Sequence, residues 1–344
     1  MIDVTVPMVV SGVTVASLVV IAPITKYALD MYPYLYANTR CASRAGLLLT
    51  KKHYDDLLSA GSIEEVYGGL EDSSYAGIVE HHKDFFSFSR ALETDYGESL
   101  KWMLEISPSA VKQVIVALQK RGEINTLKEI MGRLKEKQEL PSLAGIQSDA
   151  LRVKLEGIKD MQGFQVALEG SSYGSLLQSL DLEKMAEINT SLDRYYLEQL
   201  QDAILSVKDG DVKAAFTTYV TVLIDLFNVR LALRSKGQVE YVEGGVLDAE
   251  ALAGATDATQ LESVFASSVY GEGMNGFSMS KLEQAFFEYL RKQAEVIGVK
   301  YTLKAGMLLR YLIQKEIEIR NVNTLVKLKS EGFDADAIRS YVVI

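Results

Sequence analysis

This 344-residue chain has a single cysteine and no surplus of basic residues. Its one cysteine, Cys41, can form no internal disulfide and offers no Cys-x-x-Cys pair for zinc, which fits a reducing, cytoplasmic-facing location. The 36 Lys and Arg residues are outnumbered by 46 Asp and Glu residues, so the net charge is −10. Phosphate contacts dominate nucleic-acid affinity, and so acidic a chain is a poor candidate for binding DNA or RNA. These scarcities exclude the secreted, zinc-finger and nucleic-acid-coating classes.

Proline is also scarce. The chain has 5 prolines, whereas average usage would give about 17. No proline follows Pro141, and a proline-free stretch permits long helices because proline clashes with the preceding helical turn. Between Thr302 and Lys329 apolar residues recur with helical spacing, and Gly332 just beyond them predicts a C-cap. No convincing strand pattern is present, and the body is predicted to be all-α.

The chain carries a repeat of about 98 residues. The stretch from Leu70 to Tyr75 has a near copy that ends at Tyr173, and a weaker copy ends at Tyr270. Upstream of each tyrosine, at the same spacing, stands a residue type that favours helix starts, namely Ser62, Asp160 and Asp257. Glu65 is predicted to complete a capping box with Ser62. The apolar positions that follow are predicted to face the core, and they are Val66, Phe164 and Leu261.

A second element recurs downstream of the first. It is an apolar helix that carries an asparagine followed by basic residues, and the asparagines are Asn125, Asn228 and Asn321. A period near 98 residues is the size of a small domain and is too long for a solenoid unit. The sequence therefore predicts three homologous helical lobes at 41–141, 142–240 and 241–344. They follow an apolar N-terminal segment and linker at 1–40.

The N-terminal segment is the most apolar part of the chain. Residues 4–25 contain no charged side chain, and about 20 apolar residues suffice to span a bilayer. Tyrosines at 27, 32, 34 and 36 follow where an aromatic belt would lie, and basic residues begin at Lys26. This pattern predicts a membrane anchor with the body in the cytoplasm. Pro7 and Gly12 weaken the segment, so a buried structural extension stays the alternative. A cleaved signal peptide is not predicted, because no basic n-region precedes this segment.

Few residues combine into a pattern that could carry chemistry. Gly271, Gly273 and Gly276 match G-x-G-x-x-G, but that motif binds phosphate only between a strand and a helix. We interpret it as an interhelical loop. His81 and His82 are adjacent and would point about 100° apart on a helix, so they cannot chelate one metal. We predict no catalytic residue, no cofactor-binding residue, no metal ligand and no cofactor.

Two further features receive a structural interpretation. Cys41 has no nearby His–Asn or His–Asp pattern and is interpreted as a structural thiol. Glu316, Glu318 and Arg320 form a charge run that predicts a solvated helix face, with partner binding as the alternative.

Several blocks of this sequence, taken in order, resemble one known family. Tyr36-Ala-Asn-Thr-Arg40 and Leu47-Leu-Leu-Thr-Lys51, followed by Leu70 to Tyr75, resemble the N-terminal signature of the C subunit of archaeal A-type ATP synthases. The vacuolar ATPase counterpart in this family is the d subunit. Glu316 to Leu325, with Gly332 and a short terminal helix after it, resembles the end of the same family. The resemblance covers about 36–344, and the apolar segment at 4–25 departs from it.

The resemblance implies a non-catalytic central-stalk subunit of a rotary A-type or V-type ATP synthase. Such a subunit is funnel-shaped and couples the rotor stalk of the soluble head to the membrane proteolipid ring, for ion transport and ATP synthesis. We expect three similar lobes around a pseudo-threefold axis, at the cytoplasmic face of the cell membrane. Nucleic acid and small-molecule substrates are not expected. An unrelated membrane-anchored all-α scaffold and an all-α enzyme with a pocket between lobes are the alternatives.

Overall fold

A computed structural model describes residues 25–26, 28–178, 184–234, 239–255, 257–271 and 278–344. Within these ranges the chain folds into helices, turns and loops, with no residue in a strand. The predicted all-α class is therefore confirmed. The prediction for residues 4–25 falls almost entirely outside the described residues, as do the glycines at 273 and 276.

The described helices divide into a shorter and a longer set. After α1 at 28–45, the shorter ones are α2 Lys51–Ser59, α3 Ile63–Glu71, α4 Ala76–His81, α7 Asp149–Leu155, α8 Met161–Leu168, α9 Ser172–Gln178, α12 Ala249–Gly254, α13 Ala258–Ala266 and α16 Ala335–Arg339. The longer ones are α5 Phe85–Ile106, α6 Ser109–Lys135, α10 Met185–Leu205, α11 Gly210–Arg234, α14 Met279–Lys300 and α15 Gly306–Ser330. A 3₁₀ turn, Leu143–Gly145, precedes α7.

The long helices form three antiparallel hairpins that contact one another in a closed ring. α5 packs on α6, α10 on α11 and α14 on α15; α6 then contacts α10, α11 contacts α14, and α15 contacts α5. Contacts between hairpins fix their direction: the rings of Trp102 and Tyr311 are 5.9 Å apart, and Lys120 Nζ donates to Gln199 Oε1 at 3.1 Å. Lys304 Nζ in the α14–α15 turn also lies 2.8 Å from Asp209 Oδ2 in the α10–α11 turn. The three turns therefore lie at one end of the molecule, which we name the turn end.

Helix α1 crosses the turn end and contacts all three hairpins. The Arg44 guanidinium lies 3.6 Å from the ring centroid of Trp102, near the end of α5. The Tyr34 hydroxyl donates to Asp209 Oδ2 at 3.2 Å, in the α10–α11 turn. Asn38 Nδ2 donates to the carbonyls of Thr302 and Lys304 at 2.9 and 2.6 Å, in the α14–α15 turn. α1 therefore ties the three turns together.

The predicted helix boundaries of the repeat are confirmed. Ser62, Asp160 and Asp257 each accept a bond from the backbone N–H three residues later, at 3.3, 2.7 and 2.9 Å. Their three predicted core residues, Val66, Phe164 and Leu261, are buried. The predicted capping box is wrong, because Glu65 Oε2 accepts from Gly61 N at 2.7 Å and does not reach the Ser62 N–H.

Gly332 caps the C-terminus of α15, as the sequence predicts. This glycine has a φ of +84°, and the N–H of Phe333 donates to the carbonyl of Leu328 at 3.0 Å. The N–H of Gly332 donates to Lys329 O at 3.0 Å, which completes a Schellman motif. Glycine suits this position because a positive φ carries no steric cost without a Cβ.

The buried apolar residues form two clusters. The short helices fall into three groups along the chain, α2–α4, α7–α9 and α12–α13. The larger cluster lies between the long helices, α1 and the second and third of these groups. The smaller one joins the first short helices to the end of the chain: Val66 and Leu70 of α3 share it with Val322 and Val326 of α15 and Ile338 of α16. The first short helices thus complete their core with residues from the last part of the sequence.

One described helix is long and apolar enough to cross a membrane by length and composition. This helix is α11, and more than half of its most apolar stretch is buried inside the molecule. Its Phe216, Tyr219 and Ile224 belong to the larger core cluster. We therefore interpret α11 as a core helix.

Candidate functional site

Three tyrosines, one from each copy of the repeat, donate to three buried carboxylates on long helices. Tyr75 OH donates to Glu318 Oε1 on α15, Tyr173 OH to Glu123 Oε2 on α6, and Tyr270 OH to Asp225 Oδ2 on α11, each at 2.6 Å. All six side chains are buried. A hydrogen bond to a charged acceptor is stronger than one between neutral groups. Each bond fixes a group of short helices to a long helix, and we name the three bonds the tyrosine latches.

The same carboxylates also accept bonds from the backbone. Glu318 accepts from Leu49 N, Glu123 from Gln147 N at 3.2 Å, and Asp225 from Leu247 N at 3.0 Å. The next residue along the chain is in each case the N-cap of a short helix, namely Thr50, Ser148 and Asp248. Each carboxylate therefore holds both the entry to a group of short helices and the tyrosine that comes after the first two helices of that group.

Glycine is required beside one of these carboxylates. A Cβ on Gly245 would stand 2.0 Å from Asp225 Oδ1, and atoms cannot approach so closely. Gly145 has the corresponding place in the second copy, where a Cβ would stand 2.1 Å from Thr126 Oγ1 on α6. These glycines let the entry segments approach the long helices.

The pKa values at the latches are shifted by burial. Burial raises the pKa of Tyr75 well above its usual value of 10, and the neighbouring charge of Glu318 raises it further. Burial likewise raises the pKa of Tyr173 and Tyr270, with their carboxylate partners adding to the effect. The pKa of Asp225 is raised by burial, although bonds from Tyr270 and the backbone partly oppose the rise. The tyrosines therefore stay protonated donors.

Two of the recurring asparagines hold the chain segment that follows their helix. Asn228 exchanges two bonds with the backbone of Val242, at 2.8 and 3.0 Å. Asn321 does the same with Val343, at 2.6 and 2.9 Å. Both stand three residues after a latch carboxylate, whereas in α6 that position is Thr126. The predicted equivalence of Asn125 is therefore out of register by one residue.

The charge run at 316–320 is not a solvated face, so that prediction is wrong. Glu316 and Glu318 are 6% and 3% exposed, and both accept from tyrosine hydroxyls. Lys315, also buried, lies 2.9 Å from Asp95 and 3.3 Å from Glu318. Arg320 lies over the ring of Phe287. Charges can stay buried here because each one has partners on other helices.

Glu316 belongs to a polar group at the centre of the helix ring. It accepts from Arg121 Nη1 of α6 and, at 2.6 Å, from Tyr219 OH of α11. The Arg121 side chain is 44% exposed at the edge of this group; desolvation by the surrounding helices opposes its charged form, but attraction from Glu316 raises its pKa above the usual value overall. The pKa values of Tyr96 and Tyr196 beside the pair are raised by burial. This group joins three hairpins through side chains.

A cavity of about 610 Å³ opens beside this group. It is lined by the middle and turn-distal parts of α5, α6 and α15, with contributions from α11 and α14. Charges of both signs line it, the arginines being Arg90, Arg121, Arg152, Arg230 and Arg320, and the glutamates Glu93, Glu98, Glu129, Glu283 and Glu316. The cavity thus combines charged with apolar lining residues and lies away from the turn end.

The other residues singled out in the sequence take structural roles or lie at the surface. Cys41 lies on the buried face of α1, in the larger core cluster, and burial raises the pKa of its thiol to about 12. Its burial agrees with the interpretation as a structural thiol. His81 ends α4 at the surface, and His53 accepts from Thr50 N at 3.0 Å in a capping box that the sequence pattern did not predict. The prediction of no catalytic or metal-binding residue stays a prediction.

Comparison with known proteins decides the family. Residues 37–341 match the profile of the family described as ATP synthase (C/AC39) subunit. The chain belongs to this family. Its relatives include the C subunit of the A-type ATP synthase of Methanocaldococcus jannaschii, 24% identical over 360 residues that cover 94% of this chain and 90% of that protein. The corresponding protein of Thermococcus kodakarensis is 24% identical over 331 residues and 90% of each chain. That of Methanosphaera stadtmanae is 26% identical over 333 residues, 88% of this chain and 85% of that protein.

Membership of the C/AC39 family confirms the resemblance drawn from the sequence. It excludes the alternative of an unrelated all-α scaffold. It also excludes the alternative of an all-α enzyme, since the chain is a non-catalytic subunit of a rotary ATPase.

Proposed function

We propose that this chain is the central-stalk subunit that couples the rotor stalk of the soluble head to the membrane proteolipid ring. It would work at the cytoplasmic face of the cell membrane, for ion transport and ATP synthesis. Its partners would be the stalk subunits and the ring, with no nucleic acid and no small-molecule substrate. Residues 4–25 would add a membrane anchor to this attachment.

The observation that carries the proposal is the closed ring of long helices with a cavity, lined by charges of both signs, away from the turn end. A part that transmits torque must resist bending, and packed helices have low compressibility. The tyrosine latches and the Arg121–Glu316 pair add bonds between elements far apart in the sequence. The cavity offers a charged socket of both signs for a helical stalk.

We propose further that the lobes at 41–141, 142–240 and 241–344 surround a pseudo-threefold axis in a funnel. The recurrence of the latch supports this arrangement, because a tyrosine donor, a carboxylate acceptor and an N-cap residue occur together three times. A threefold part suits contact with a symmetric ring on one side and a single stalk on the other.

Site-specific photo-crosslinking tests the socket. A photoreactive amino acid at Thr94, which is exposed and lines the cavity, should crosslink to a stalk subunit in the assembled complex. The same amino acid at Thr217, exposed on α11 and outside the cavity lining, is the matched control. Stalk adducts from position 217 alone, or from neither position in an active complex, would contradict the socket.

Reconstituted complexes test the coupling role. A complex that lacks this chain should still hydrolyse ATP in its soluble head and should lose ion pumping and ATP synthesis. Adding back the wild-type chain should restore both lost activities. Normal ion pumping without the chain would refute the proposed function.

A further inference from the structure

We propose that the socket holds the stalk in a single rotational orientation, against a wall built from one face each of α5, α6 and α15. Three lobes around an axis would by themselves offer a stalk three similar orientations. This inference rests on the proposed function, and it names the side of the socket that the stalk contacts.

The latch carboxylates align the long helices α6, α11 and α15 residue by residue. Glu123, Asp225 and Glu318 accept equivalent bonds from the three tyrosines, so residues at the same spacing from them hold equivalent positions. The residues two before, two after and six after each carboxylate follow one another at about one helical turn. They therefore share one face of their helix.

This face is polar on α6 and α15, and on both helices all its residues line the cavity. They are Arg121, Asn125, Glu129, Glu316, Arg320 and Thr324. Arg90, Glu93 and Gly97 line the cavity from α5, also at helical spacing. We name these three helix faces the stalk wall.

The equivalent face of α11 is apolar and belongs to the core. Its residues are Leu223, Phe227 and Leu231. Leu223 and Phe227 pack against the larger core cluster, and Leu231 is 7% exposed. α11 contributes Arg230 alone to the cavity lining, and α10, described at Met185–Leu205, contributes no residue. The polar lining of the socket is therefore one-sided.

A glycine opens the space beside the stalk wall. Gly122 directly precedes Glu123, and the equivalent residues of α11 and α15 are Ile224 and Ile317, which are both buried. Gly122 lines the cavity, and a Cβ built on it would meet no atom within 4 Å. α6 thus leaves open a position that the other two helices fill with isoleucine. An occupant can approach the backbone of α6 closely here.

The charges of the stalk wall define the partner that fits it. Arg90 and Arg320 lie in the same lining as Glu93 and Glu129. The fitting partner is a helix that carries both acidic and basic residues on the face that meets this wall. Electrostatic complementarity of this kind fixes the register of a complex.

A change of orientation would separate these charges from their partners. If the stalk turned by a third of a revolution, its charged face would meet the apolar side chains of α11 instead of the stalk wall. Burying a charge without a partner is costly, so the other orientations are disfavoured. A stalk held in this way does not slip in the socket when torque is applied.

A substitution that fills the space beside the wall tests the contact. Gly122→Ile gives α6 the side chain that α11 and α15 carry at the equivalent position. Since a Cβ at 122 has open space, the variant should fold, and circular dichroism checks this. Gly132→Ile is the matched control, because Gly132 lies on the same helix with the same open space but outside the cavity lining.

Isothermal titration calorimetry measures binding of the full-length chain to the soluble ATPase head with its stalk, without membrane. Gly122→Ile should weaken this binding by about tenfold or more, because its side chain occupies space that the stalk needs. Gly132→Ile should stay within about twofold of the wild type. Equal affinity of the folded Gly122→Ile variant and the wild type would overturn the proposal, as would equal losses in both variants.

Photo-crosslinking in the assembled complex tests the orientation without altering Gly122. A photoreactive amino acid replaces Asn125 on α6 or Thr324 on α15, which both line the cavity. Mass spectrometry then identifies the stalk residues that carry the adducts. A single orientation expects the adducts from each position on one face of the stalk, at helical spacing. Adducts from one position on all faces of the stalk would overturn the proposal.

These outcomes separate the inference from the proposed function. If the wild-type chain did not bind the head and its stalk, the socket itself would be wrong, and this inference with it. Tight binding of the wild type with adducts on all faces of the stalk would overturn the single orientation alone. The coupling role would then still be supported by loss of ion pumping on removal of the chain.

Discussion

The hydroxyl of Tyr75 donates to Oε1 of Glu318 at 2.6 Å, across 243 residues of sequence. Lys315 Nζ donates to the same hydroxyl at 3.0 Å, so the tyrosine lies between a buried cation and a buried carboxylate. The bond joins the first group of short helices to the last long helix. The equivalent bonds at Tyr173 and Tyr270 span 50 and 45 residues.

Removing a latch hydroxyl should destabilise the protein. Tyr75→Phe leaves Glu318 buried without that donor, and we expect a loss of about 1–3 kcal/mol in the free energy of unfolding. Urea denaturation followed by circular dichroism measures this loss. Tyr36→Phe, at an exposed position, is the control and should change stability by less than about 0.5 kcal/mol. Equal midpoints for the wild type and Tyr75→Phe would mean that the latch adds nothing.

Alkaline pH should unfold the protein through its buried tyrosines. The pKa values of Tyr75, Tyr173, Tyr219 and Tyr270 are raised above 10 in the folded chain, with burial as the largest cause. Above pH 10 the unfolded chain has therefore lost these protons while the folded chain retains them. The stability is fully present below pH 10 and falls by up to about 1.4 kcal/mol per pH unit per tyrosine above it.

Absorbance of tyrosinate at 295 nm and helical circular dichroism, recorded together, check this prediction. The late-titrating tyrosines should ionise at the pH where the helices are lost. Ionisation of all tyrosines near pH 10 in a protein with intact helices would contradict the raised pKa values.

The N-cap of α8 gives a matched pair of variants. Asp160→Ala removes the acceptor for Gly163 N and should cost about 0.5–2 kcal/mol. Asp160→Asn keeps a capping oxygen and should stay within a few tenths of a kcal/mol of the wild type. Thermal denaturation compares the three proteins. If Asp160→Asn is as unstable as Asp160→Ala, the cap is not the cause.

The end of α6 offers a stabilising change. Lys137 has a φ of +56°, and Gln138 N donates to Arg133 O at 2.8 Å, in the geometry that Gly332 adopts at the end of α15. Lys137→Gly relieves the strain of a side chain at positive φ and should raise stability by about 0.5–1 kcal/mol. Glu136→Gly, one residue earlier at a negative φ, should lower it. A destabilised Lys137→Gly would show that the lysine side chain itself contributes.

The parts of the fold that depend on local chemistry could be predicted from the sequence. Ser62, Asp160 and Asp257 could be recognised as helix starts because an N-cap uses only backbone within three residues. The three tyrosines could be recognised as equivalent because their surroundings recur. The sequence pattern does not reveal their acceptors, and the charge run that contains Glu318 instead predicts a solvated face. Whether a charged residue is buried depends on partners from distant helices, which local periodicity does not reveal.

A signal for these acceptors was nevertheless present. Asp225 and Glu318 each precede a recurring asparagine by three residues, which places the carboxylate and the amide on one face of the helix. Glu123 precedes Thr126 in the same way, and the change from asparagine to threonine concealed the third copy. Gly145 and Gly245 also stand two residues before the backbone donors Gln147 and Leu247.

The core shared by the two ends of the chain has a consequence for biosynthesis. Val66 and Leu70 leave the ribosome early, whereas Val322, Val326 and Ile338, which cover them, are among the last residues made. At about 5–20 residues per second, roughly 10–50 s separate the synthesis of the two halves of this core. During that interval the first helices expose apolar side chains. Either a chaperone shields these side chains, or the first helices stay unfolded until the last helices have been synthesised. Maturation of this protein is thus completed only when its final helices are released.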